Sequence, residues 1–174
     1  MKGKKYNLII ILLSIGLVCC IFISVWALFF REPSVVLTPD YAPQESESNA
    51  EPIPDDSSAK TEVEEGGGAI SVEYTDAVTV FLDEGKADLE YANPGRSTHD
   101  IILQVVIKNE VIIQSGVISP GNRVRELPLL DGAAGMLSEG VYSDCVFRIL
   151  SYDPETGEKS MVDTEAKITV TVTR

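Results

Sequence analysis

Ile101-Ile102-Leu103-Gln104-Val105-Val106-Ile107 and Val111-Ile112-Ile113-Gln114-Ser115-Gly116-Val117 are two apolar runs separated by Lys108-Asn109-Glu110. Their β-branched side chains are stiff at χ1 and suit a pleated surface better than a helix. Three polar residues between two such runs predict a tight hairpin. Outward from it, Asn93-Pro94-Gly95 and Ser119-Pro120-Gly121-Asn122 are turn signals, because proline fixes φ and glycine accepts positive φ. Further strands are predicted over residues 71–74, 77–82, 87–91 and 123–129. Two more follow, over 141–152 and 167–173, the last alternating Ile168, Val170, Val172 with Thr169, Thr171, Thr173. No segment shows helical periodicity. The expected fold of residues 70–174 is an all-β, immunoglobulin-like antiparallel β-sandwich of about seven or eight strands, with a small barrel as the alternative.

One residue resists simple alternation. Val141, Cys145, Phe147 and Ile149 form the apolar phase of their strand, which sends Tyr142 outward. Yet Leu137-Ser138-Glu139-Gly140-Val141-Tyr142 resembles the Gly-x-Tyr turn that opens a late strand in immunoglobulin-like domains, where the tyrosine packs inward. A bulge near Ser143 reconciles the two. In antibody-type domains the cysteine comes two residues after the tyrosine, whereas Cys145 comes three after. Gln114-Ser115-Gly116-Val117-Ile118-Ser119-Pro120-Gly121, then Leu127 and Gly140-Val141-Tyr142, resembles small exported or membrane-anchored β-sandwich proteins of Gram-positive bacteria across roughly residues 90–174. Most of that group have no assigned activity, so the resemblance implies fold and location rather than chemistry. The same Pro-Gly and Gly-x-Tyr layout also resembles small proteinase-inhibitor domains.

Charge is unevenly distributed along the 174 residues, whose net charge is −13. The first thirty residues carry Lys2, Lys4 and Lys5 and no acid. Residues 8–30 are a run without a formal charge, and a helix of that length covers about 34 Å against a hydrocarbon core of roughly 30 Å. Trp26, Phe29 and Phe30 suit an interfacial anchor, and the lysines before the run against Arg31 and the acids after it orient the chain. The expectation is a single-pass protein of the cell membrane, with a cytoplasmic N-terminus and an extracellular C-terminal domain. A cleaved signal peptide and lipidation at Cys20 compete with this reading. Against them stand the length of the run and Cys19, where a lipoprotein signal calls for a small Gly or Ala.

Residues 31–69 hold ten acids against two bases and five of the nine prolines. So few apolar side chains predict a disordered, extended tether.

Candidate sites are sparse. Cys145 is the only cysteine beyond the apolar run, so the domain has no disulfide framework; between apolar neighbours it reads as a small hydrophobe. His99, the only histidine, follows the Asn-Pro-Gly turn and has no nucleophile motif near it in sequence. Pro154-Glu155-Thr156-Gly157 matches the tail of a sortase signal, but Asp153 stands where leucine is needed, so it reads as a turn. Asp153, Glu155 and Glu158 lack the every-second-residue spacing of a calcium loop. No catalytic residue, cofactor or metal ligand is predicted. The acidic balance excludes nucleic acid as a partner. Residues 129–137 differ from an ordinary connection in being apolar and glycine-rich. Leu130, Ala133, Ala134 and Met136 are therefore candidate partner contacts, the alternative being that Leu130 and Leu137 fold back to cap the core. The expected role is non-enzymatic, a monomeric ectodomain binding an envelope protein or a surface polymer; a β-domain offering a loop to a protease is the alternative.

Overall fold

The computed structural model describes residues 16, 40–43, 45–56, 58–63 and 67–174. The chain divides into two compact units, Met1–Val36 and Leu37–Arg174. Gly16 is the one described residue of the first and is helical. Apart from Gly16, the expected membrane segment, with Lys2, Lys4, Lys5 and Arg31, thus lies outside the described residues. Among those residues no helix is long and apolar enough to cross a membrane.

The second unit is all-β. Among its described residues the nine strands are β1 (Glu51–Pro52), β2 (Glu73–Tyr74), β3 (Ala77–Phe81), β4 (Lys86–Asn93), β5 (Asp100–Ile107), β6 (Glu110–Gln114), β7 (Asn122–Pro128), β8 (Gly140–Tyr152) and β9 (Thr164–Thr173). The central hairpin forms as expected, on a two-residue turn with positive φ at both Lys108 (50°) and Asn109 (66°). That mirror-image turn matches the right-handed twist of the flanking strands, and asparagine tolerates it better than most residues. The strands follow one path, β1-β7-β4-β3-β9-β8-β5-β6, with β2 beside β4. Among the named strands all pairings are antiparallel except that of β3 with β9, a parallel ladder from Ala77↔Thr169 to Phe81↔Thr173 that departs from the all-antiparallel expectation. β3 bonds to β4 on one side and β9 on the other, and the curled sheet encloses one large core, with Ile102, Leu150 and Tyr152 forming a second small cluster against which Ala42 of the strap packs. Tyr91, Val124 and Leu127 from one half meet Leu103, Phe147 and Val170 from the other.

Two bulges adjust this curl. In β8, Ser143 and Asp144 together oppose Thr169 alone, so Tyr142 regains the inner side while Cys145 remains buried. This is the irregularity the Gly-x-Tyr pattern required. In β4, Leu89 and Glu90 together oppose Arg125.

The acidic stretch departs most from expectation. Its described residues between 40 and 63 belong to the β unit and form a strap along it, while residues 31–39 of the expected tether lie outside the described residues. The pairing directions make β4, β6 and β8 point the same way, so the three connections that follow them share one end, and the strap crosses all three. Ala42 N–H donates to Gly157 O (2.9 Å), Glu47 N–H to Val117 O (2.9 Å), and Ile53 N–H to Gly121 O (2.8 Å). β1 pairs with β7 through Glu51↔Arg123 and Pro52↔Asn122. The apolar content is indeed too low for a core; backbone hydrogen bonds and placed carboxylates hold the strap instead.

Candidate functional site

At the end of the sheet opposite the strap, Leu129 leaves β7 and the chain makes one turn of helix, α1 (Ala133–Met136), before β8. Gly132 starts it at φ +80°, a conformation that glycine adopts without strain. Leu129, Leu130 and Leu137 pack against the core, and Ala133 is fully buried within it. Of the four candidate contacts, Ala133 presents no surface, Leu130 and Ala134 are half-buried, and Met136 is 52% exposed. The corner after this turn is closed by Tyr142: its hydroxyl donates to Ser138 O (2.9 Å) and accepts from Ser138 N–H (3.1 Å). Lys108 Nζ stands 5.0 Å over the same ring. The result is one exposed methionine on a rigid corner.

A second feature lies where β4 bulges. The chain passes from β2 to β3 through Thr75 and Asp76, and β4 changes partner there, from β3 at Asp88 to β2 at Tyr91. A cleft of about 280 Å³ opens between these strands, β7 and the strap; Ile53, Tyr74, Tyr91, Val124, Arg123 and Arg125 contribute to its lining. Tyr74 stacks on Tyr91 with ring centroids 6.5 Å apart, and both rings meet Phe147 edge-on. Glu51 accepts from Nε of Arg123 (2.8 Å), and Nε of Arg125 lies 3.3 Å from the same oxygen. Glu73, also in the lining, is held by Arg96 (2.8 Å). Tyr91 is 1% exposed, and its hydroxyl has no hydrogen-bond partner among the described residues. Burial, with Tyr74 adding to it, pushes its pKa far up, so it stays a neutral donor.

The remaining candidates take ordinary structural places. Cys145 is buried and unpaired, its Sγ 3.5 Å from Tyr142 O, and burial raises the thiol pKa. His99 is half-buried; Thr98 Oγ1 is 3.0 Å from its Nδ1, and its ring lies so close to Gly68 that a Cβ there would run into it. Pro154–Gly157 is a turn as expected: Asp153 Oδ1 accepts from Glu155 N–H (2.7 Å) and Thr156 N–H (2.9 Å), and these bonds hold its pKa below the usual carboxylate range. Among the described residues no group of three or more His, Cys, Asp or Glu is placed to hold a metal ion.

The sequence reading passed over the cleft altogether. Arg123 and Arg125, two apart on β7, were the only hint, and nothing local shows that Glu51 reaches them from seventy residues away. No protein-family model matches the chain, and no curated protein matches it.

Proposed function

We propose that this chain is a membrane-anchored extracytoplasmic binding protein whose β domain is an immunoglobulin-like sandwich acting without catalysis at the cell envelope. The apolar run over residues 8–30, flanked by lysines on one side and acids on the other, supports the anchor and its orientation. Two features support the sandwich. β3 divides its pairing between β4 and β9, and Tyr142 closes the β7–β8 corner on Ser138, as the tyrosine corner of immunoglobulin-like domains does.

The observation that carries the binding role is Met136, an exposed adaptable side chain on a corner fixed by Tyr142, Leu130 and Leu137. Surfaces of that kind, mobile side chain on rigid scaffold, suit contact with another protein or a polymer. Topology is tested by adding protease to intact cells. The expected product is a released fragment beginning within residues 31–69, and a fully protected domain contradicts the orientation. Partner contact is tested by placing a photo-crosslinking residue at position 136: a defined envelope adduct supports the reading, and adducts indistinguishable from those at Glu165, exposed on β9, count against it.

A further inference from the structure

We propose that the cleft between β2, β4, β7 and the strap binds a carboxylate attached to an apolar or aromatic group, with the Glu51 side chain as its resident stand-in. Arg123 and Arg125 converge on a single oxygen of Glu51. A guanidinium is built to recognise carboxylates, and two beside one cavity form an anion site rather than a chance surface pair. Both arginines line the cleft. The bulge assists, because Leu89 and Glu90 crowd opposite Arg125 and bulges re-aim the residues around them.

The walls select what accompanies the charge. Ile53 and the exposed ring of Tyr74 offer apolar and aromatic surface, backed by the buried Tyr91 and Val124. The Tyr91 hydroxyl, without a partner among the described residues, is buried behind this lining and takes no part in the contact. Glu73 opposes the assignment little, since Arg96 neutralises it; Glu90, exposed and also in the lining, disfavours a second carboxylate on the ligand. Glu51 itself is about half exposed (47%), so its ion pairs are of the exchangeable surface kind. An incoming carboxylate displaces the Glu51 side chain while the β1 backbone pairing stays in place. The site lies apart from the Leu129–Leu137 corner and does not depend on where the chain is anchored.

The test uses the full ¹⁵N-labelled chain in detergent micelles and follows the Arg Nε–Hε resonances. The probes are phenylacetate and a short peptide ending in phenylalanine with a free carboxylate, each beside its amide. The expected result is a saturable shift at Arg123 and Arg125 with the acids and none with the amides; the tighter acid tells whether a free small acid or a chain terminus is the better fit. Glu51→Gln should tighten binding severalfold by removing the internal competitor, and Arg125→Ala should weaken it by about tenfold or more. Acids and amides behaving alike, or Glu51→Gln leaving affinity unchanged, would overturn the proposal. Membrane topology does not enter these measurements, so their failure leaves the anchoring reading intact.

Discussion

Replacing Gly116 with alanine should lift the strap from the sheet while leaving the β domain folded. A Cβ at position 116 would stand 2.9 Å from both Cα and N of Glu47 and 3.1 Å from Glu45 O. These are backbone atoms, so no side chain can rotate away, and the strap itself must move. Movement breaks three bonds: Glu47 N–H to Val117 O (2.9 Å), Val117 N–H to Glu45 O (3.1 Å), and Gly116 N–H to Glu47 Oε2 (2.7 Å). Two neutral bonds and one charge-assisted bond sum to about 3–6 kcal/mol net. Against this, each freed residue regains about 1–2 kcal/mol of backbone entropy, so releasing two or three residues cancels most of the loss. The expected global effect is therefore about 1–2 kcal/mol, a fall in Tm of roughly 2–8 °C for a unit of this size. The local effect is large: hydrogen exchange at Glu47, Val117 and Ile53 should rise far more than at Leu103 or Phe147. Gly135→Ala is the control, because that glycine has open space around it and ordinary φ; there the loss of unfolded-state freedom should stabilise by about 0.4–1 kcal/mol. A Gly116→Ala protein that keeps full protection at Glu47 and Val117 would refute the docked strap.

Tyr142→Phe should cost about 1–2 kcal/mol in chemical denaturation, from the two bonds to Ser138, with an unchanged m-value; no loss would remove the corner from the stability of β8. Leu130→Asp places a charge against the core and should cost a few kcal/mol, whereas Met136→Asp should shift stability by less than about 0.5 kcal/mol while abolishing partner capture. Equal destabilisation by both would end the contact reading of that loop. Asp56 accepts from Ser58 and from Gly95 N–H (2.5 Å), which holds its pKa below the ordinary value of 3.8. A depressed folded-state pKa means that its contribution to docking is complete above the unfolded value and fades as pH falls through the folded one. The Gly95 amide shift should therefore titrate with a midpoint below 3.8, and a midpoint at or above that value contradicts the bond. Cys145 is buried with a raised pKa, so alkylating reagents should label it only after unfolding, and reductant should leave melting unchanged.

How much of this fold could be read beforehand varies from strand to strand for physical reasons. The hairpin of β5 and β6 was plain, because two β-branched runs around Lys108-Asn109 leave the chain little else to do. β9 was equally plain in its alternation, although its observed start at Thr164 precedes the apolar phase. The bulge at Ser143 was legible only because two patterns disagreed, the apolar alternation of β8 and the inward tyrosine. The parallel pairing of β3 with β9 was not legible, since nothing in Ala77–Phe81 distinguishes a strand bonded on both sides to partners of opposite sense. The turn α1 was missed because four residues are too few to show a helical period. Among the candidate contacts, an apolar composition announced that residues 129–137 were unusual, but composition alone does not say which of Ala133 and Met136 faces in.

The strap shows a more general limit. Low hydrophobicity and high negative charge identify segments that cannot build a core, and the inference from there to disorder assumes that a core is what would order them. Here the ordering groups are elsewhere in the chain. Gly95 and Gly116 let the strap approach closely: a Cβ would meet the Asp56 carboxylate at 3.2 Å from position 95, and the Glu47 backbone at 2.9 Å from position 116. Their amides donate to those same two acids, and Arg123 with Arg125 takes Glu51. Thus three acids of the strap, at 47, 51 and 56, each meet a donor on β7 or on a connection at one end of the sheet. Charge repulsion along the strap and attraction across it both favour an extended chain, so the composition that suggests an extended tether serves a docked strand equally well. What separates the two is the position of glycines and arginines forty to seventy residues away, a signal that becomes visible only when the acids and their receiving groups are considered as pairs.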